Sequence, residues 1–198
     1  MLTGCTRVVG GAAALPATQT PGPMLPPGVD VEQIMLDSGQ MRAITGASDH
    51  LTIIPTMDVK SPVDIGALAD TVPASCRFVY AETATFGTET TQFHKTTFQY
   101  PPKAALISEA AAAYRDIGAA RRIFDTLVST VSGCADTSSG AILVGGWDAD
   151  EQSLHTGAGR CGSNYRLKSA VLLEVTFCGF PKSVSQIVLT NLANRVPG

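Results

Sequence analysis

Four cysteines in the body of the chain, Cys76, Cys134, Cys161 and Cys178, restrict its fold and its compartment more than any other residues. No two of them have the C-x-x-C spacing of a zinc or redox site. Four well-separated cysteines in a domain of this size read as two disulfides, which form in an oxidising compartment outside the cytoplasm. Four reduced core cysteines in a cytosolic protein are the competing reading. The 198 residues are 44% hydrophobic and 16% charged. That is too apolar for a disordered chain and long enough for one domain that buries roughly 70% of its unfolded surface. The net charge of −3 argues against a nucleic-acid partner, which calls for a basic face. No apolar run reaches the roughly 18 residues of a membrane span.

The fifth cysteine has its own context. Leu2-Thr3-Gly4-Cys5 matches the bacterial lipobox. Small residues before the cysteine let a signal peptidase grip extended backbone, and the thiol then takes a diacylglyceryl group as a thioether. The expectation is a lipid on Cys5 and a membrane anchor on the outer face of the cell membrane. A lipobox normally follows a basic stretch and an apolar stretch of roughly 7–15 residues. The chain begins at Met1 without them, so the reading places the true start upstream or has the leader trimmed away. Residues 6–29 hold Pro16, Pro21, Pro23, Pro26 and Pro27 among several glycines. This stretch reads as an extended tether at about 3.1 Å per residue, or as a terminus without a role. The domain division is therefore 1–29 for lipobox and tether, and 30–198 for the folded domain.

Asp30 caps a short expected helix to about Asp37, and a second turn from Gly39 to Ile44 stops at Gly46. Leu51–Met57 reads as an edge strand because of Pro55, and Asp64–Thr71 as a short helix. The Thr, Phe and Tyr residues of 77–100 favour strands. Residues 104–114 pull two ways. Their five alanines favour helix, but the flanking Pro101-Pro102 and Arg115-Asp116 bound a strand-length segment. Gly118–Gly133 is the clearest helix, with Ile123, Phe124, Leu127, Val128 and Val131 on one stripe. Strands are expected at Ile142–Trp147, Glu151–His155, Tyr165–Lys168 and Val171–Cys178, and a last helix from Pro181. Strands in succession with a few helices make an α+β fold with an antiparallel sheet.

An ordered set of residues carries a family resemblance. Pro73-Ala74-Ser75-Cys76 comes first, then Tyr114-Arg115-Asp116 leading into the helix that ends at Cys134. Trp147 and Cys161 follow, and Phe177-Cys178-Gly179-Phe180-Pro181 leads into the last helix. From Asp30 to Pro197 the chain resembles the extracellular sensor domain of the mycobacterial PknH-type serine/threonine kinases, a domain also found in mycobacterial lipoproteins. The resemblance implies a central antiparallel β-sheet flanked by helices, with a V-shaped cleft for an unidentified ligand. It implies the pairs Cys76–Cys134 and Cys161–Cys178, closing loops of 58 and 17 residues. It also makes residues 104–114 a strand. The chain carries no kinase, so direct phosphorylation is not implied.

Little else points to chemistry. Gly157-Ala158-Gly159-Arg160-Cys161-Gly162 fits G-x-G-x-x-G, but a dinucleotide fold needs it between a buried strand and a helix. Here a glycine-rich hairpin is expected. G-x-S-x-G, P-loop and H-E-x-x-H strings are absent. His50, His94 and His155 are far apart and read as scattered surface histidines; a metal site from them with Asp49, Asp148 or Asp150 has no support in spacing. Trp147, the only tryptophan, and Tyr165 with Arg166 on a neighbouring strand are candidates to line a ligand cleft. The expectation is a non-catalytic, lipid-anchored sensor of the mycobacterial cell envelope. It needs no cofactor or metal and binds a small molecule or envelope component. The alternative is a protein-interaction module, an assembly partner or decoy of a kinase sensor, which predicts an exposed apolar patch.

Overall fold

The computed structural model describes residues 29–197. Cys5, the lipobox and almost all of the tether lie outside the described residues. The chain begins with two short helices, α1 (Val31–Ile34) and α2 (Ser38–Thr45). Asp37 and Gln40 form a capping box at the start of α2, and Gly46 ends it with φ +64°, a left-handed conformation open to glycine at no steric cost. Strand β1 (Thr52–Val59) follows, then helix α3 (Gly66–Ala69), a 3-10 helix over Ala74–Val79 and helix α4 (Glu82–Phe86). Strands β2 (Gln92–Tyr100) and β3 (Ala105–Ala113) precede the long helix α5 (Ile117–Ala135). Helix α6 (Gly140–Leu143) leads into β4 (Gly146–Ala149), β5 (Ser153–Ala158), β6 (Cys161–Lys168) and β7 (Val171–Cys178). Helix α7 (Lys182–Arg195) closes the fold.

All seven strands join one sheet in the order β1-β2-β3-β7-β6-β5-β4, every neighbour antiparallel. Side chains alternate across it, so the central strands β2, β3 and β7 serve two cores. On one face Phe98, Ile107, Leu173 and Val175 pack under α1, α2 and α7. On the other face Phe93, Ala112, Leu172 and Leu167 pack under α5, with Phe78 and Phe86 beside them. A fully buried leucine or phenylalanine contributes about 2 kcal/mol over its exposed state, so both cores are needed to hold the sheet. The central strand β3 is buried on both faces. Its run of alanines leaves room for helices to approach from either side, and that packing overrides helix propensity.

The disulfides are Cys76–Cys134, which ties the 3-10 helix to the end of α5, and Cys161–Cys178, which crosses β6 and β7. Both are the pairs the resemblance implied. Two expectations are corrected. Residues 77–91 form the end of the 3-10 helix and α4, with strand beginning only at Gln92. Phe78 and Phe86 are buried in the α5 core, and Tyr80, half-buried, lines the cleft. The start of the expected strand at Ile142 belongs to α6, and Gly145 makes the turn into β4. A Cβ on Gly145 would come within 2.0 Å of the Gly157 carbonyl, so only glycine allows the chain to pass there. The glycine string 157–162 is the β5–β6 hairpin.

Candidate functional site

Helix α5 covers only half of its face of the sheet. The other half is the floor of a cleft of about 580 Å³. The strand register lays out that floor in rows. Lys95, Ala110, Glu174 and Tyr165 stand side by side on β2, β3, β7 and β6. The next row is Thr97, Ser108, Thr176, Ser163 and Thr156, one hydroxyl from each of five adjacent strands. The row beyond holds Leu106 and the Cys178–Cys161 disulfide. Thr97 and Ser108 pair through their hydroxyls at 2.9 Å. Thr97, Ser108 and Thr156 are buried, while Ser163 and Thr176 are half-buried and face the cleft. On the same strands the opposite face carries Phe98, Ile107 and Val175.

The charged row is self-contained. Lys95 Nζ donates to Glu82 Oε1 at 2.6 Å, and the other oxygen of Glu82 accepts from the Val63 amide at 2.8 Å. Glu82 thus fixes the 60–65 wall to the floor. Burial alone would lower the Lys95 ammonium, but the carboxylates of Glu174 and Glu82 outweigh it and hold the group above its ordinary value. Burial raises the Glu174 carboxyl against the opposing pull of Lys95. Burial, with the Glu174 charge added, pushes the Tyr165 phenol well above its ordinary value. Two carboxyls therefore share one ammonium, and these three are the only charged residues lining the cleft among those described.

Apolar side chains form the mouth. Met57, Val63, Ile65, Val79 and Leu106 all line it and are all exposed. They make up five of the nine large hydrophobic residues exposed among the described residues. A bulge in β1 between Ile53 and Asp58 breaks the ladder and turns Thr56 and Met57 over the cleft.

The three residues expected to line a cleft are separated. Tyr165 stands in the floor and is 2% exposed. Trp147 pairs with Thr156 on the edge strand β4, where it packs against the α5 core outside the cleft lining. Arg166, the neighbour of Tyr165 on one strand, points to the opposite face and is exposed. The residues missed were the hydroxyl row and the Glu82–Lys95–Glu174 group.

The histidines lie elsewhere. His50 is exposed. His94 is buried on the face opposite the cleft, with its Nε2 2.7 Å from Asp58 and its Nδ1 3.2 Å from Glu32. Thr96 Oγ1, itself buried, approaches the same Nε2 at 3.1 Å and donates to Asp58. His155 Nδ1 donates to Asn164 Oδ1 at 2.9 Å, and Asn164 Nδ2 donates to the Ser185 hydroxyl of α7. Among the described residues no three acidic, histidine or cysteine side chains converge to hold a metal ion. No helix among them is long and apolar enough to cross a membrane.

A model of the family described as PknH-like extracellular domain matches residues 26–196. The chain is also similar to the crystal structure of the extracellular domain of PknH from Mycobacterium tuberculosis. The TM-score is 0.63 at 14% identity, over 85% of this chain and 97% of that one. At that identity the likeness is one of fold. No curated protein matches the chain.

Proposed function

The chain belongs to the PknH-like extracellular domain family, and from that membership we propose that it is a non-catalytic, extracytoplasmic ligand-binding domain whose cleft receives a small molecule or envelope component. The observation that carries this reading is the half-covered sheet face. A buried polar floor inside an apolar mouth is the common form of a small-molecule site, where apolar lining supplies contact and a few polar groups set orientation. The two disulfides suit an oxidising compartment. A lipid on Cys5 and the 6–29 tether would hold the domain at the outer face of the membrane.

Native mass spectrometry of the protein, expressed with a signal peptide and gently extracted from a mycobacterial host, tests both parts. A diacylglyceryl mass on the N-terminal peptide and a retained small molecule are expected. An unlipidated Cys5 overturns the anchor, and a protein empty in every preparation overturns the ligand reading. The exposed apolar mouth favours one second reading, a docking site for an envelope protein. A lipidated but empty domain that co-purifies with one stoichiometric protein would support it.

A further inference from the structure

We propose that the cleft selects an uncharged, hydroxyl-rich head group carrying an apolar tail, the chemistry of an alkyl glycoside. This rests on the cleft being the ligand site and adds the class of ligand. The first observation is the row of Thr97, Ser108, Thr176, Ser163 and Thr156 across five strands. Strands lie about 4.8 Å apart, so the row runs for roughly 19 Å. Each hydroxyl both donates and accepts. A ligand that also offers both, as a sugar does, can pair with such a row without leaving buried polar atoms unmatched, and unmatched atoms are what cost affinity.

The second observation is charge. Among the described residues the one cation lining the cleft, Lys95, is already bound to Glu82 at 2.6 Å. Glu174 adds a second carboxyl beside it. An anionic head group such as a carboxylate, sulfate or phosphate would find no free cation and would meet two carboxyls. A quaternary ammonium would meet favourable charge but could donate nothing to the hydroxyls. The third observation is the order of the surfaces. Polar groups lie deep and Met57, Val63, Ile65, Val79 and Leu106 lie at the mouth. A ligand enters head first and leaves its apolar part among these side chains.

The test uses the full chain, labelled with 15N, and four probes below their micelle concentrations: n-octyl β-D-glucoside, methyl β-D-glucoside, octyl sulfate and octyltrimethylammonium. Octyl glucoside should shift the amides of Ser163, Tyr165 and Thr176 saturably, at least ten-fold tighter than octyl sulfate or octyltrimethylammonium. Binding of methyl glucoside as tightly as octyl glucoside overturns the tail requirement and points to a free sugar. The double variant Ser163→Ala/Thr176→Val keeps the shape of the floor and removes two hydroxyls. It should weaken octyl glucoside roughly ten-fold, about 1 kcal/mol or less for each hydrogen bond lost. Octyl sulfate or octyltrimethylammonium binding as well as octyl glucoside overturns the head-group assignment while leaving the cleft as the ligand site. Unchanged affinity in the folded double variant overturns the role of the hydroxyl row. Shifts from none of the four probes, up to the highest submicellar concentration, overturn the ligand reading itself. Leu106→Ser, at an exposed position, separates the two surfaces: it should weaken octyl glucoside and leave methyl glucoside unchanged.

Discussion

Among the described residues, Glu109 holds the one buried side-chain oxygen without a hydrogen-bond partner. The residue sits on β3 with no exposure, its other carboxyl oxygen accepting from the Leu36 amide at 3.0 Å. Burial pushes its carboxyl from 4.5 up to about 8, against the pull of the Leu36 amide and of Arg195 on α7, and with Asp37 raising it further. A carboxyl raised on folding stabilises most below its unfolded value. The native state holds a proton that the unfolded chain releases, so stability falls as pH rises from about 4.5 to about 8 and then levels. The slope is at most roughly 1.4 kcal/mol per pH unit. Urea midpoints of the parent should therefore drop across that window, while Glu109→Gln, which cannot ionise, should lose most of this slope. Equal slopes in both proteins would mean that Glu109 is not held neutral. Lys95 makes the complementary prediction on the cleft side. Lys95→Met leaves Glu82 and Glu174 without their shared cation, and removing one partner of a buried ion pair costs about 3 kcal/mol or more. Burial raises the Glu174 carboxyl, so acid neutralises it first, and the loss measured by urea denaturation should be smaller at pH 5 than at pH 7. A penalty that stays constant would assign it to lost packing.

Among the elements, the 3-10 helix and α4 depend most on something outside themselves. They form the wall between α5 and the cleft, and Cys76–Cys134 is their covalent tie. On the chain-entropy account a 58-residue loop contributes about 4 kcal/mol and a 17-residue loop about 3. Replacing Cys76 and Cys134 together with alanine should cost more than replacing Cys161 and Cys178. Hydrogen exchange should quicken first over 74–86 and the last turn of α5, with β3 and β7 still protected. Exchange that quickens first in the sheet would contradict this order. The same wall marks where sequence reading failed. Phe78 and Phe86 among threonines look the same whether a strand or a helical turn buries them, because only contact with α5 decides between the two. Long α5, α7 and β7 were legible from their stripes and alternation, since each repeats its pattern for two turns or more. Strand β3 was not legible from its alanines, whose helix propensity is real but weaker than burial on both faces. It came from the family resemblance alone.

Seen whole, the domain is a sheet with one face packed under α1, α2 and α7 and the other covered only halfway by α5, and this asymmetry could not be read from single strands. The pairing of Thr97, Ser108, Thr156, Ser163 and Thr176 in one row needs four registers at once, three between consecutive strands and one, β3–β7, between strands far apart in sequence. Each residue alone is an ordinary polar position in an alternating strand. Period two does establish that Tyr165 and Arg166 cannot share a face, and the structure puts only Tyr165 in the cleft. Two neighbours on β6 measure the asymmetry directly. A Cβ at Gly162 would stand 2.6 Å from the Thr156 carbonyl and 3.0 Å from the Phe177 ring, so that position has no spare volume. Gly162→Ala should destabilise by about 1–3 kcal/mol, as overpacking does. Ser163 faces the cleft of about 580 Å³, where a benzyl side chain has room. Ser163→Phe should shift stability by less than about 1 kcal/mol while closing the cleft to any ligand the parent retains. The two variants should thus separate folding from binding: one lowers the urea midpoint, and the other leaves it and abolishes the ligand-induced rise in Tm. If Ser163→Phe unfolds the domain as readily as Gly162→Ala, the open half-face is packed in solution and offers no cleft.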